Sequence, residues 1–570
     1  SVQSASILLS INAMSLTYSP LLEAQRILQY LCQQAGTLGL PESFQDVAAQ
    51  VKFVSDYDHV YFPIPFKETE TAAALKAIEG SVACLLADLK YGKQERMLSV
   101  SLERTTNFLF QAYLATVDGL GKLDPAIKLK LKDTDYLRAQ SDPYRRMSAN
   151  LYGTKRAGEY YHIHGSLEAS TTLNMLGLES FRPDLRSHSE IISVIEPAVQ
   201  KFTVEELEEM NARNKQAGVP ALRHEDFLKT PHGVSSMNTP TWTVTSLEMS
   251  TPPVPLTPSS SGSPRILEGI KVLELCRIIA GPTIGRILAE YGADVLKVTG
   301  PGLSDVPFFQ VDGNMGKHAT EINLKSAQGK EVFERLLEDV DIVLDGYRPG
   351  ALDKLGYGAE SLAKFAENRG KGVIYVNENC FGYSGEWANR PGWQQIADCV
   401  SGLAWAQGRF MGLEEPTVPP FPISDYGTGC IGAIAALTGL YNRATKGGSW
   451  HGKASLLQYD LLLFKVGQFS EDVQDQLRAQ CSAAFLSMRH NHSVDDISRS
   501  ALAMLREEHS ELFQDSNFET WYSKGYGANV RVVKPVVDIS GIEIGFQRGS
   551  RSNGTDEASW DFLHDGDYRV

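Results

Sequence analysis

Asp425 stands in Phe421-Pro422-Ile423-Ser424-Asp425-Tyr426-Gly427-Thr428-Gly429, a glycine-flanked loop leading into an alanine-rich helical stretch, Ile431–Ala444. An aspartate there can cap the helix by accepting its free N–H groups. It can also be a nucleophile, kept anionic by the helix dipole, with the N–H groups of Gly427 and Gly429 as donors around it. The residues alone leave both roles open. A second segment, Leu275-Cys276-Arg277-Ile278-Ile279-Ala280-Gly281-Pro282, links a β-rich run to a helix whose start is set by Pro282. Gly281 would let a ligand approach the backbone, and a helix N-terminus offers free N–H groups and partial positive charge. A tight turn with no ligand accounts for the same residues.

Other motifs carry less. Gly447-x4-Gly452-Lys453-Ala454 is one residue short of a phosphate-binding loop and lacks its Ser/Thr. It also follows a helix and leads into a strand, the reverse of the required context, so a turn is expected. His162 and His164 would share one face of a strand, but nothing nearby supplies a third metal ligand. No metal site is expected.

These residues need a scaffold, and its divisions are visible. Met249–Pro264 is rich in proline and serine and cannot pack as helix or sheet, so it reads as a linker between two halves. After it, strand signals (Ile266–Leu275, Ala293–Val298, Asp341–Leu344, Val373–Val376) alternate with helix signals (Thr283–Tyr291, Val332–Leu337, Leu362–Asn368). That alternation predicts an α/β fold, a doubly wound parallel sheet of Rossmann-like type, with a smaller α+β domain elsewhere in the chain. The expected divisions are a mostly helical half-module over 1–130, a small-domain segment over 131–246, the linker over 247–264, the α/β domain over 265–480 and a tail over 481–570.

The chain also repeats itself. Phe62-Pro63-Ile64-Pro65-Phe66-Lys67-Glu68-Thr69 resembles Phe421–Thr428, and each precedes an alanine-rich helix, a basic glycine-containing turn and a strand-to-helix passage. The copies differ at one decisive place, where Phe66 stands for Asp425.

Composition sets the outer bounds. The 570 residues are 42% hydrophobic and 22% charged, enough apolar surface for several packed units. A net charge of −15 argues against nucleic-acid or anionic-membrane binding, so an anionic ligand needs a local basic site. Seven cysteines without a C-x-x-C pair read as thiols of a reducing compartment. No apolar run approaches the ~20 residues of a membrane span. The opening stretch Ser1–Met14 has an apolar patch but no basic n-region, so a signal peptide is not expected. A cytoplasmic protein is expected, with mitochondria or peroxisomes left open.

Ile266–Pro301, ILEGIKVLELCRIIAGPTIGRILAEYGADVLKVTGP, resembles the opening of the family III CoA-transferases, the CaiB/BaiF family, whose superfamily includes α-methylacyl-CoA racemase. Further motifs follow in the family's order: Asn314-Met315-Gly316-Lys317, Asp345-Gly346-Tyr347-Arg348-Pro349-Gly350, Cys380–Gly385, Ser401-Gly402-Leu403 and the Asp425 loop. The likeness covers about Ile266–Gln468. Glu70–Leu114 and Leu151–Leu176 resemble later parts of such a module, and the tail beyond Gln480 shows no match.

The resemblance implies an enzyme that moves CoA between an acyl-CoA and a carboxylic acid, with Asp425 as nucleophile and Gly427 and Gly429 beside it. It places CoA on Arg277, Ile279, Ala280 and Gly281, with Lys317 and Arg348 near the phosphates and Tyr347 near the adenine. Three positions depart from the family: Thr299 replaces an acidic residue, Gly392-Trp393-Gln394 replaces Gly-Tyr-Asp, and Trp393 stands where the racemase branch has a histidine. A racemase-like isomerase and a CoA-binding protein that has lost its chemistry are the alternatives. Family members are interlocked homodimers. The order of elements here implies instead a monomer acting as an internal pseudo-dimer, with residues near Glu159–Ser170 approaching Asp425; a homodimer is the alternative.

Overall fold

In the computed structural model, which describes residues 17–570, short β-branched runs alternate with amphipathic helices from Lys271 onward. The stretch Ser1–Met14 lies outside the described residues. The main sheet is built from β1 (Thr243–Glu248), β2 (Lys271–Leu275), β3 (Asp294–Thr299), β4 (His318–Glu321), β5 (Ile342–Asp345), β6 (Ile374–Asn379) and β7 (Ser449–Ser455). Its order is β4-β3-β2-β5-β6-β7-β1, parallel throughout except that β1 runs antiparallel beside β7. Counted from β2, the strands run third, second, first, fourth, fifth, sixth. This is the doubly wound order, and its switch point lies between β2 and β5. Val272, Leu273, Glu274 and Leu275 are all buried, as expected for a central strand covered on both faces.

Five helices position the site: α1 (Glu68–Tyr91), α2 (Ala280–Glu290), α3 (Gln394–Ser401), α4 (Ile423–Lys446) and α5 (Leu456–Val466). The sequence puts the start of α2 at Pro282; the helix begins at Ala280 instead. Pro282 falls in its first turn, where a missing N–H leaves no ladder bond unmade.

The two repeat copies lie against each other. α1 and α4 are both 24 residues long and pack together, and the Phe62 and Phe421 rings stand 6.0 Å apart. Each copy then passes through a strand into a helix capped by a serine: Ser101 accepts from the Arg104 N–H and Ser455 from the Gln458 N–H. Where Asp425 borders a cavity, Phe66 is buried edge-on against Phe464 at 4.9 Å. One apolar core runs through both halves, with Ile27, Ile64 and Ile78 in the same cluster as Ile284, Ile434 and Leu461.

The linker differs from its expectation. Met249–Pro264 forms neither helix nor strand, but it is not a free tether. Thr251 is buried and accepts from the Gly448 N–H at 3.0 Å, and the Val254 N–H donates to the Arg443 carbonyl at 3.1 Å. The strand just before it, β1, belongs to the main sheet.

A small antiparallel sheet (Ala149–Gly153, Tyr160–His164, Val219–Pro220) carries the helices His188–Val199 and Val204–Asn214 and has its own core around Tyr152, Ile163 and Ile195. The tail joins the halves. Ala528–Val533 pairs with Thr116–Val117, Val537–Ile539 pairs with Leu98–Ser101, and the Asp556 carboxylate accepts from the Ala319 N–H at 2.8 Å. Among the described residues no helix is long and apolar enough to cross a membrane.

Candidate active site

Ligands of doubly wound sheets sit outside the carboxyl ends of the strands at the switch point. A cavity of about 400 Å³ opens there. Arg277, Ile279 and Ala280 reach it from the end of β2, Tyr347 and Arg348 from the end of β5, and Glu378 from β6. Asp425 lies in its wall, and Gly165–Glu168, the turn that follows strand Tyr160–His164 of the N-terminal half, also line it. The N-terminal half therefore contributes directly. The Trp393 indole N–H donates to the Ser166 hydroxyl at 2.9 Å and ties that half to the residue after Gly392.

The basic site that the acidic chain needs is present. The Arg277 guanidinium donates to the Ser304 carbonyl at 2.7 Å and lies 5.4 Å from the Tyr347 ring centre. Burial, and then the adjacent Arg277 charge, hold the Arg348 pKa below its ordinary value. Two neighbouring guanidiniums facing a cavity favour a polyanion.

Backbone strain gathers here. Eight described non-glycine residues have positive φ; Ser166 at 57° and Ile278 at 74° line this cavity, while Ala169 at 70° and Phe421 at 64° lie one and four residues in sequence from its lining residues Glu168 and Asp425. Each conformation costs on the order of 1–3 kcal/mol and persists only where the surroundings enforce it, which is common at ligand sites. Ile278 is the most unfavourable of the four, since a β-branched residue strongly resists positive φ.

Asp425 is not in the loop before α4 but in its first turn, its N–H donating to the Pro422 carbonyl at 3.1 Å. It is 8% exposed. Burial, and then the charges of Glu378 and Asp398, push its pKa well above the usual carboxylate range. Behind it the Ser424 hydroxyl meets Asp398 Oδ1 at 2.8 Å and Asp460 Oδ1 at 2.6 Å. A hydroxyl has one proton to donate, so one of these carboxyls must carry a proton and donate in turn. Gln394 also donates to Asp398. Burial raises the pKa of both carboxyls. Burial and then the Asp345 charge likewise push Glu378 up to about 8.

Four residues singled out in the sequence are not in the cavity. The N–H groups of Gly427 and Gly429 lie inside α4, where the helical ladder already engages them, so they are not free donors. With Gly432 they have the spacing of a dinucleotide-binding fingerprint, but they sit in a helix interior rather than at a strand-to-helix turn. Their role is close packing: a Cβ on Gly427 would fall 2.1 Å from the Tyr459 ring, and one on Gly429 2.4 Å from Thr283. Gly281 similarly makes room for Cys276, whose Cβ would stand 2.5 Å from a side-chain methyl at that position. Lys317 is fully buried under α2, its Nζ donating to Glu274 Oε1 at 2.5 Å and to the Pro282 carbonyl at 2.7 Å. A lysine so enclosed does not meet a phosphate in the cleft.

His162 and His164 stack on each other at 5.6 Å, and burial pushes the His162 pKa down to about 3, so neither ring is a cation. Among the described residues no group of three or more His, Cys, Asp and Glu side chains is placed to hold a metal ion. Trp393 offers an N–H donor where proton exchange would require a base.

A reaction that used Asp425 as a carboxylate would have its acid limb set by this raised pKa. Activity, as kcat/KM, should rise with pH through a pKa above the ~4 of an unperturbed aspartate. A pH profile already flat at pH 5 would contradict this.

Comparison with known proteins gives the following. Residues 267–472 match the model of CoA-transferase family III. The chain is 32% identical over 539 residues to the acetyl-coenzyme A transferase nodX of Hypoxylon pulicicidum, covering 91% of this chain and 90% of that one. It is 30% identical to an acyl-CoA transferase of Gibberella moniliformis, covering 91% and 92%. A mouse succinyl-CoA:glutarate CoA-transferase is 28% identical over 248 residues, covering 41% of this chain and 54% of that one.

Proposed function

The chain belongs to CoA-transferase family III and is an enzyme of CoA transfer, and from that premise we propose that Asp425 is its covalent nucleophile. The observation that carries this is the position of Asp425 between two cavities. One is the 400 Å³ cleft with Arg277, Tyr347 and Arg348; the other is a cavity of about 70 Å³ on the far side of the Ile278–Ile279 turn. CoA would lie in the first, its phosphates on the two arginines and its adenine toward Tyr347, with the thioester directed at Asp425.

In the first step the Asp425 carboxylate attacks the thioester carbonyl, the C–S bond breaks and CoA leaves as thiolate, giving a mixed anhydride. The thiolate then attacks the Asp425 carbonyl of that anhydride, releasing the donor acid and forming an aspartyl-CoA thioester. An acceptor carboxylate attacks this thioester, and the returning thiolate takes the acyl group and frees Asp425. No proton need be moved at carbon, which fits the absence of a base at Trp393. The single chain would act as an internal pseudo-dimer, with Gly165–Glu168 supplying the wall that a partner subunit supplies elsewhere in the family.

The test uses acetyl-CoA with a panel of carboxylic acids, mass spectrometry for new CoA esters, and hydroxylamine to trap the acyl-enzyme. One hydroxamate per chain on the Asp425 peptide is expected. New CoA esters formed with an unmodified Asp425 peptide would overturn the assignment. Exchange of the α-proton of a chiral 2-methylacyl-CoA in deuterated water would favour isomerisation instead.

A further inference from the structure

His164 ends the strand Tyr160–His164 of the N-terminal half and borders the smaller cavity together with Asp425. Its ring is firmly held. The Ser166 N–H donates to Nδ1 at 2.9 Å, the His162 ring stacks at 5.6 Å, and the Trp393 ring stacks at 5.7 Å with its plane 18° away. The Trp393 indole N–H holds the Ser166 hydroxyl at 2.9 Å, and Ser166 itself has positive φ. A strained turn is therefore fixed so that a backbone N–H meets one nitrogen of this ring.

That bond settles the tautomer. A nitrogen that accepts carries no proton, so in the neutral ring the proton sits on Nε2. Burial, and then His162 and Arg146, hold the His164 pKa well below its ordinary value, so the ring stays neutral. The Nε2–H meets no acceptor among the described residues, yet Nε2 is not sealed in the core. It opens on the cavity that the ring borders. An unused donor beside a reacting carboxylate calls for an acceptor that arrives with the substrate.

The reaction supplies one. When Asp425 adds to the thioester carbonyl, an electron pair of the C=O bond moves onto oxygen, and it returns as the C–S bond breaks. That oxyanion needs donors, and Gly427 and Gly429 cannot give them, because their N–H groups are engaged inside α4. We propose that the His164 Nε2–H is a donor to this oxyanion: a neutral imidazole, contributed by the N-terminal half, that stabilises charge on the carbonyl attacked by Asp425 and keeps its own proton throughout. The proposal rests on the reading of Asp425 as nucleophile. The cavity of about 70 Å³ takes the carbonyl oxygen, and the rest of the CoA ester stays in the 400 Å³ cleft.

Two isosteric variants separate this role from a structural one. His164→Asn puts an amide oxygen where Nδ1 stands, so it still accepts from the Ser166 N–H but has nothing at Nε2. His164→Gln reaches the Nε2 position with an amide N–H and gives up the bond to Ser166. The rate of Asp425 adduct formation is measured in full-length protein by single-turnover hydroxylamine trapping with acetyl-CoA. His164→Asn should be slower by roughly 10²- to 10³-fold, the cost of one oxyanion donor, with CoA affinity within a few-fold of wild type. His164→Gln should recover much of that loss. A His164→Asn rate within a few-fold of wild type, or a glutamine variant slower than the asparagine one, would reduce the ring to a turn cap and overturn the proposal. If His164→Gln does not fold, the asparagine variant decides, since it keeps the Ser166 bond. Gln395 borders the same cavity. A Gln395→Ala variant slowed as much as His164→Asn would move the donor to that amide and overturn the assignment to His164. Absence of any Asp425 adduct in the wild type would overturn both readings, whereas equal adduct rates in wild type and His164→Asn would sink only this one.

Discussion

Asp425→Ala is expected to bind CoA as the wild type does and to lose turnover, by roughly 10⁴- to 10⁶-fold in kcat, the range seen when an essential nucleophile is removed. The separation of effects follows from the placement of the groups. The two arginines and Tyr347 stand at the ends of β2 and β5, whereas Asp425 stands on α4, so deleting its carboxyl leaves the cationic surface intact. Stability gives a second readout with a definite sign. The folded-state pKa of Asp425 is raised above its unfolded value, so its contribution is fully present below about pH 4 and is lost as pH rises. Asp425→Asn removes that loss. The variant should therefore gain stability relative to wild type between pH 5 and pH 8 while remaining inactive. Residual activity near the wild-type rate would return Asp425 to capping α4, and a loss of CoA affinity matching the loss of rate would mean that the carboxyl holds the cleft together.

How much of this was legible depended on the range of the interactions concerned. Strand and helix alternation is written in local periodicity, so the doubly wound sheet followed from the sequence. The likeness of Phe62–Thr69 to Phe421–Thr428 was also local. The structure realises it as two paired 24-residue helices. Asp425 was ambiguous from its own neighbours, and only the resemblance chose among its roles. What the sequence concealed was solvent access and direction. Gly427 and Gly429 look like loop glycines until the helix is seen to begin before them. The positive φ of Ile278 has no signature at all, since isoleucine is the wrong residue to expect there. The tail matched nothing recognisable, because its strands are short and pair with partners more than 400 residues earlier in the chain.

Lys317 offers the sharpest contrast between a family-derived role and the packing of this chain. As a phosphate ligand, its loss would weaken CoA binding and leave stability nearly unchanged. Its surroundings require the opposite. Lys317 and Glu274 are both fully enclosed between α2 and the sheet, burial pushes the Lys317 pKa down to about 8, and burial raises that of Glu274 against the pull of the lysine. Glu274 Oε2 already lacks a hydrogen-bond partner, so removing the ammonium would strand a carboxyl in the core with neither oxygen satisfied by charge. Breaking one side of such a pair costs about 3–5 kcal/mol, whereas replacing both sides by well-packed apolar residues is often neutral or better. Lys317→Met should therefore lose stability of that order in urea unfolding. Its folded fraction should still bind CoA within about 3-fold of wild type, a difference well under 1 kcal/mol. Glu274→Leu combined with Lys317→Met should recover most of the loss, because the desolvated charge is removed along with its partner. A single variant that keeps its urea midpoint but binds CoA ten-fold or more weakly would restore Lys317 to the cleft and refute its assignment to the core.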